Sequence, residues 1–216
     1  MRINFEKDKL LFLLLATDIA FITLHILHIY TDLLPDSLYS LAMPRSYSEF
    51  FQYTKELWIA IILLAAGIRL RSSLYFSFSA LFLYFLVDDS FELHETTGKY
   101  LADTLFFQPA FGLRPVDFGE MLVSGAIGLP LLGLIALAYL KSVTATRQVA
   151  HILFGLIVLT VFFGVIVDMA EIMVNQPAIS RILVIVEDGG EMIVMSIITA
   201  FTFGLSRSST KDSLPG

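Results

Sequence analysis

Eight carboxylates stand in four pairs with one repeated spacing: Asp89 with Glu92, Asp117 with Glu120, Asp168 with Glu171, and Asp188 with Glu191. Residues three apart share a face of a helix. Each pair therefore offers a glutamate with an aspartate one turn away. Four inward glutamates from four helices form the ligand set of a dinuclear carboxylate metal centre. The aspartates then serve as further ligands or as partners that orient them. His25, His28 and His94 add imidazole ligands or proton carriers, with His25 and His28 one turn apart. Hard oxygen with some imidazole selects a divalent Mn, Fe, Zn, Mg or Ca ion. The chain has no Cys, so thiolate sites, Cys nucleophiles and disulfides are excluded. It also lacks the Glu-x-x-His pairs of di-iron bundles, so histidine ligands have to come from His94 and the first helix.

The elements that carry these residues are apolar helices. The 216 residues are 56% hydrophobic and 16% charged, and the mean hydropathy is +0.78. A soluble domain is nearer a quarter charged. Six stretches have the roughly 20 apolar residues that a spanning helix needs: 10–30, 50–70, 74–95, 117–140, 149–173 and 186–205. The expected fold is one all-α transmembrane domain over 1–216, an integral membrane bundle of about six helices. Residues 206–216 read as a short cytoplasmic tail. No cleavable signal peptide is evident. The net charge of −6 offers no basic surface for nucleic acid, and the lipid bilayer is the implied partner.

Basic residues orient the bundle. With the N-terminus inside, nine of the fourteen Lys and Arg residues fall in inner segments, which places both termini in the cytoplasm. On this topology the acids of the third to sixth spans, and His25 and His28 of the first, gather at the outer end. The inner halves are apolar, as in Ile61–Leu64. Asp18, nearer the middle of the first span, is the main exception. No Lys or Arg is expected well inside a span, so crowded carboxylates there require bound cations or protons. The bland readings differ by residue. Asp88 and Asp117 read equally well as helix caps or headgroup contacts, and a lone His on an apolar helix is commonly a satisfied core residue.

The pairs also repeat as a pattern. Val87-Asp88-Asp89-Ser90-Phe91-Glu92 parallels Val167-Asp168-Met169-Ala170-Glu171, and Asp117-Phe118-Gly119-Glu120-Met121 parallels Asp188-Gly189-Gly190-Glu191-Met192. The matches occur in the same order in consecutive hairpins. Helices 3–4 and 5–6 are therefore expected to be pseudo-symmetric about an axis along the membrane normal. Gly119 and Gly190 precede the glutamates and would permit close helix approach.

The run Asp88-Asp89-Ser90-Phe91-Glu92-Leu93-His94-Glu95, with the late Glu191-Met192, resembles a family of uncharacterised bacterial multi-pass inner-membrane proteins. Their signature is an Asp-Asp or Asp-Glu pair followed by His-Glu, with a late acidic Glu-Met motif. The resemblance covers about 44–205. It implies the bacterial inner (plasma) membrane and no assigned activity.

Three functions compete. One is a metal-dependent membrane enzyme or metal-binding protein with its site open to the periplasm. The second is a cation or proton transporter or channel, against which the sparse polar groups of the inner half weigh, chiefly Ser124, Thr160, Ser196 and Thr199. The third is a structural subunit whose acids meet a membrane-protein partner or another copy of the chain.

Overall fold

The computed structural model describes residues 5–174 and 176–211, with side chains over 9–174 and 176–205. Its helices are α1 (Phe5–Tyr30), α2 (Tyr47–Leu70), α3 (Ser73–Phe91), α4 (Leu93–Thr104), α5 (Pro115–Leu140), α6 (Thr144–Val161), α7 (Asp168–Met173) and α8 (Pro177–Lys211). A 3-10 turn at Ser37–Tyr39 lies between α1 and α2, and a π-helical segment, Phe162–Val167, joins α6 to α7.

Local chemistry sets the boundaries. Ser46 caps α2, its hydroxyl accepting the Glu49 N–H at 3.3 Å. Arg71 closes the same helix in the left-handed region at φ 48°, its N–H returning to Gly67 and Ile68 carbonyls. Pro115 begins α5, where a missing N–H costs nothing.

Five helices are long and apolar enough to cross a membrane: Lys9–Tyr30, Tyr47–Leu70, Ser73–Phe91, Pro115–Leu140 and Thr144–Met173. Their apolar residues do not all turn inward. Phe12 and Leu129 are each 70% exposed, and Leu137 is 60% exposed. A surface this apolar is at home in lipid. The sixth expected span, 186–205, falls within α8 and is not one of these five; it includes Glu187, Asp188 and Glu191, with Arg181 just before it. The tail expected from Ser206 instead continues α8 to Lys211, and 212–216 lie outside the described residues.

α8 is the hub. It packs against α1, α2, α6, the π-helical segment and α7, while α2 pairs with α3, α3 with α5, and α4 with α5. One end of the bundle is a dry core in which Leu63, Phe78, Phe82, Leu153 and Ile198 are fully or almost fully buried. The acids lie towards the other end.

Two sequence expectations change here. The third span was expected to run through Glu95, with Asp88, Glu92 and Glu95 on one face. It stops at Phe91, because Glu92 takes the left-handed conformation at φ 52° and redirects the chain into α4. Glu171, its proposed counterpart, lies inside α7. The chain between α3 and α5 includes α4, whereas only residues 174–176 separate α7 from α8.

The second change concerns the absence of cations inside the spans. Lys55, expected in an outer segment, is fully buried within α2 and paired with Asp18 of α1 at 3.1 Å. α2 begins at Tyr47, so Lys55 lies more than two turns inside it.

Candidate functional site

A cavity of about 630 Å³ opens among α2, α3, α4, α5, α7 and α8. α2 contributes Glu49, Gln52 and Tyr53, spaced so that one face of the helix meets the cavity. Asp89 reaches it from the end of α3, Glu92 from the break, and His94 and Glu95 from the first turn of α4. Glu120 enters from α5. Asp168 and Glu171 follow the π-helical segment, and α8 supplies Glu187, Asp188 and Glu191. Leu41, Ala42, Pro44, Val184 and Met192 make apolar wall between these groups.

Close backbone approach brings α4 onto α5. A Cβ on Gly98 would lie 2.5 Å from the Glu120 nitrogen, and one on Gly119 would run into the Gly98 carbonyl. His94 and Glu95 are thereby held over Glu120. On the other side, Glu191 packs against Gly164 of the π-helical segment, where a Cβ would strike its carboxylate. The wider π turn accommodates this approach, and such segments recur at functional sites.

The electrostatic balance is one-sided. Among the described residues, Glu92 pairs with Arg45 at 3.3 Å, and the lining cations Arg114 and His94 form their ion pairs with Asp117 and Asp88, which do not line the cavity. Arg114 binds Asp117 at 2.7 Å, and His94 binds Asp88 at 3.1 Å. Donating to the Asp117 carboxylate also pushes the Arg114 guanidinium further up. No Lys, Arg or His of the described residues forms an ion pair with Asp89, Glu120, Asp168, Glu187, Asp188 or Glu191. Tyr53 donates its hydroxyl to Glu49 at 2.7 Å.

The hydrogen bond that the His94 ring donates to Asp88 raises His94 to about 9, against an ordinary 6.5, with burial opposing. Asp88 also accepts the His94 backbone N–H at 2.9 Å, so one carboxylate holds both ends of the α3–α4 break. A group raised on folding stabilises the fold fully below its unfolded value and loses that contribution as pH rises through the folded value. The His94–Asp88 pair should therefore supply about 1–2 kcal/mol near pH 6, discounted for its partial exposure, and lose it between about pH 6.5 and 9. Unfolding in detergent across that range, compared with Asp88→Asn, is the measurement. Identical pH profiles for the two proteins would remove His94 from the account.

The family described as Domain of unknown function (DUF8692) matches residues 10–206. The chain belongs to this family. The match spans every helix that lines the cavity. No curated protein and no solved structure matches the chain. Membership in DUF8692 thus supplies a relationship and no activity, and the site is read from its own residues.

In this DUF8692 chain the expected ligands divide into three groups. Asp89, Glu92, His94, Glu120, Asp168, Glu171, Asp188 and Glu191 line the one cavity. Asp117 is turned to the start of α5, where its carboxylate accepts the Arg114 N–H at 2.6 Å and binds its guanidinium. His25 and His28 serve the α1–α2 connection. The His25 Nδ1 accepts the Leu41 N–H at 3.0 Å, and the His28 Nδ1 meets the Leu34 carbonyl at 2.7 Å. His25 thus holds the segment whose Leu41 lines the cavity, without lining it itself. Among the described residues, no three His, Asp or Glu side chains converge closely enough to hold one metal ion.

Sequence reasoning missed the whole α2 contribution. Glu49, Gln52 and Glu56 recur at helical spacing within an otherwise apolar helix, and that stripe was the available signal. Glu56 is 1% exposed with its Oε2 unpartnered.

Proposed function

We propose that this is a multi-pass membrane protein that binds cations in the acid-lined cavity at one end of its helix bundle. The observation that carries the reading is convergence: carboxylates from α2, α3, α4, α5, α7 and α8 line a single cavity with few cations left to balance them. Carboxylates so crowded favour whatever brings positive charge. Intramembrane acids gathered inside a bundle are a functional feature by default. Residues 186–205 of α8 are the sixth span in this reading, and the nine-to-five bias of the basic residues favours both termini in the cytoplasm and the cavity on the periplasmic side of an inner membrane.

A divalent metal is the first cation to test, and activation of a bound water would make the site an enzyme's. The sequence-derived dinuclear centre requires Glu92, Glu120, Glu171 and Glu191 to draw together around the ions. The apparent duplication of the hairpins supports that reading through its matched Asp and Glu positions.

Transport is the second reading, and one observation favours it. Polar side chains continue past the cavity into the bundle, through Glu56, Lys55, Asp18, Ser196, Thr199 and Thr202, all 0–1% exposed. These buried groups link the cavity end to Ser196 and Thr199, which the sequence already placed among the sparse polar groups of the inner half.

Glu191→Gln keeps the shape of the side chain and removes its charge. Cation affinity, measured by calorimetry with Mn²⁺ and Ca²⁺, should fall about tenfold, or about 1.4 kcal/mol. The wild-type protein should melt higher with cation than with chelator, because binding to the native state adds stability. Equal melting in both conditions, with no bound metal by elemental analysis and no calorimetric signal, would reject the cavity as a metal site.

A further inference from the structure

We propose that the cavity's ligand is an elongated organic polycation, a linear aliphatic polyamine, rather than a compact metal ion. This deepens the cation-binding reading and rests on it. Four observations carry it.

The first is an orphaned acceptor. Gln52 lies on the cavity wall at 9% exposure, and its Oε1 has no hydrogen-bond partner. A buried carbonyl left without a donor is destabilising. Gln52 lines the cavity, so a donor bound there that the side chain turns to meet would satisfy this oxygen. An alkylammonium carries only donors and positive charge, so it satisfies an amide oxygen and a carboxylate alike.

The second is dispersion of charge. The acids come from six helices, yet among the described residues no three His, Asp or Glu side chains close around a single ion. A metal needs several ligands within about 2.0–2.6 Å of one point. A polyamine needs one or two carboxylates at each of several separate points.

The third is size. A cavity of about 630 Å³ is in the range that holds a small organic molecule. The fourth is what lies between the acids. Leu41, Ala42, Pro44, Val184 and Met192 give apolar wall, which suits the methylenes that separate ammonium groups and does nothing for a bare ion. Removing those methylenes from water adds to affinity with each carbon buried.

The test is calorimetry on the purified full chain in a neutral detergent, with spermidine, butylamine, Mn²⁺ and a series of α,ω-diaminoalkanes of three to eight carbons. Spermidine should bind one per chain, at least tenfold tighter than butylamine or Mn²⁺, and should displace Mn²⁺. The diamines should show an optimum length, because fixed acids fix the spacing of the ammonium groups. Gln52→Leu should weaken the best diamine by about tenfold, a loss of about 1.4 kcal/mol. It should leave the melting temperature of the empty protein unchanged or higher, since it removes an unsatisfied buried group. Should that variant fail to fold, the length optimum in the wild-type protein still decides. Mn²⁺ binding tighter than spermidine, or diamines binding with no dependence on length, would overturn the polyamine and leave a cation site standing. Binding of no cation at all would overturn both readings.

Discussion

Lys55→Met should be among the most damaging single changes in the bundle, at about 3–5 kcal/mol, because it strips a buried ion pair of one partner. The Lys55 ammonium spends its donors on Asp18 at 3.1 Å, the Met192 carbonyl at 2.9 Å and the Ser196 hydroxyl at 3.3 Å. Ser196 in turn donates to the second Asp18 oxygen at 2.5 Å. All three side chains have no solvent exposure. Removing the ammonium leaves a carboxylate in a dry interior with one hydroxyl for support. The penalty belongs to the stranded charge, so removing both charges should recover most of it. Lys55→Met with Asp18→Leu should lie within about 2 kcal/mol of wild type, since paired charges and apolar replacements are often close in energy. Unfolding titrations in mixed detergent would give the three values. A single Lys55→Met change costing under about 1 kcal/mol would show that the pair is not a buried one.

Gly119→Ala should cost about 2–4 kcal/mol and open the cavity wall at the same time. The added methyl meets the Gly98 carbonyl carbon and oxygen, which are backbone atoms and cannot rotate away. α4 must lift from α5, and His94 and Glu95 move away from Glu120 as it does. Overpacking at a fixed backbone contact costs about this much. Gly125 lies in the same helix with nothing within 4 Å of the added carbon. There the same change should be neutral or gain about 0.5–1 kcal/mol from the better helix propensity of alanine. The pair of variants separates crowding from propensity, with melting temperature for the fold and cation affinity for the cavity. Equal effects at the two glycines would show that the α4–α5 crossing is not tight.

The helices were legible because apolar runs of membrane-spanning length have few alternatives, and α2 lies close to its expected bounds. The placement of the acids towards one end was legible for a similar reason: alternating direction puts the end of one span beside the start of the next. Three things were not. A glutamate in the left-handed conformation has no sequence mark, so Glu92 read as one more turn of α3. The π-helical segment leaves the spacing of Asp168 and Glu171 unchanged and alters only where they point. Lys55 read as one of the outer-segment cations, and its partners Asp18 and Ser196 lie 37 and 141 residues away in the chain. No local pattern reveals a pairing of that range. His25 and His28 read as ligands by type and spacing, yet imidazole satisfies a backbone N–H or carbonyl equally well, and both side chains here hold the connection that follows α1.

The central position of α8 bears on how the chain is assembled. Synthesis delivers α1 first and α8 last, yet α8 packs against both α1 and α2, which make little contact with each other. Until α8 leaves the ribosome, α1 is kept beside α2 by the Asp18–Lys55 pair, the Phe21–Phe51 ring contact and the connection that His25 holds. The cavity lacks the wall that carries Glu187, Asp188 and Glu191 for just as long. In the proposed membrane bundle, the helices before α8 therefore stay open on the side that α8 fills. Completion of the acid cluster and completion of the fold are then a single late event. The full negative charge of the cavity is assembled only when every helix that can hold it is already in place.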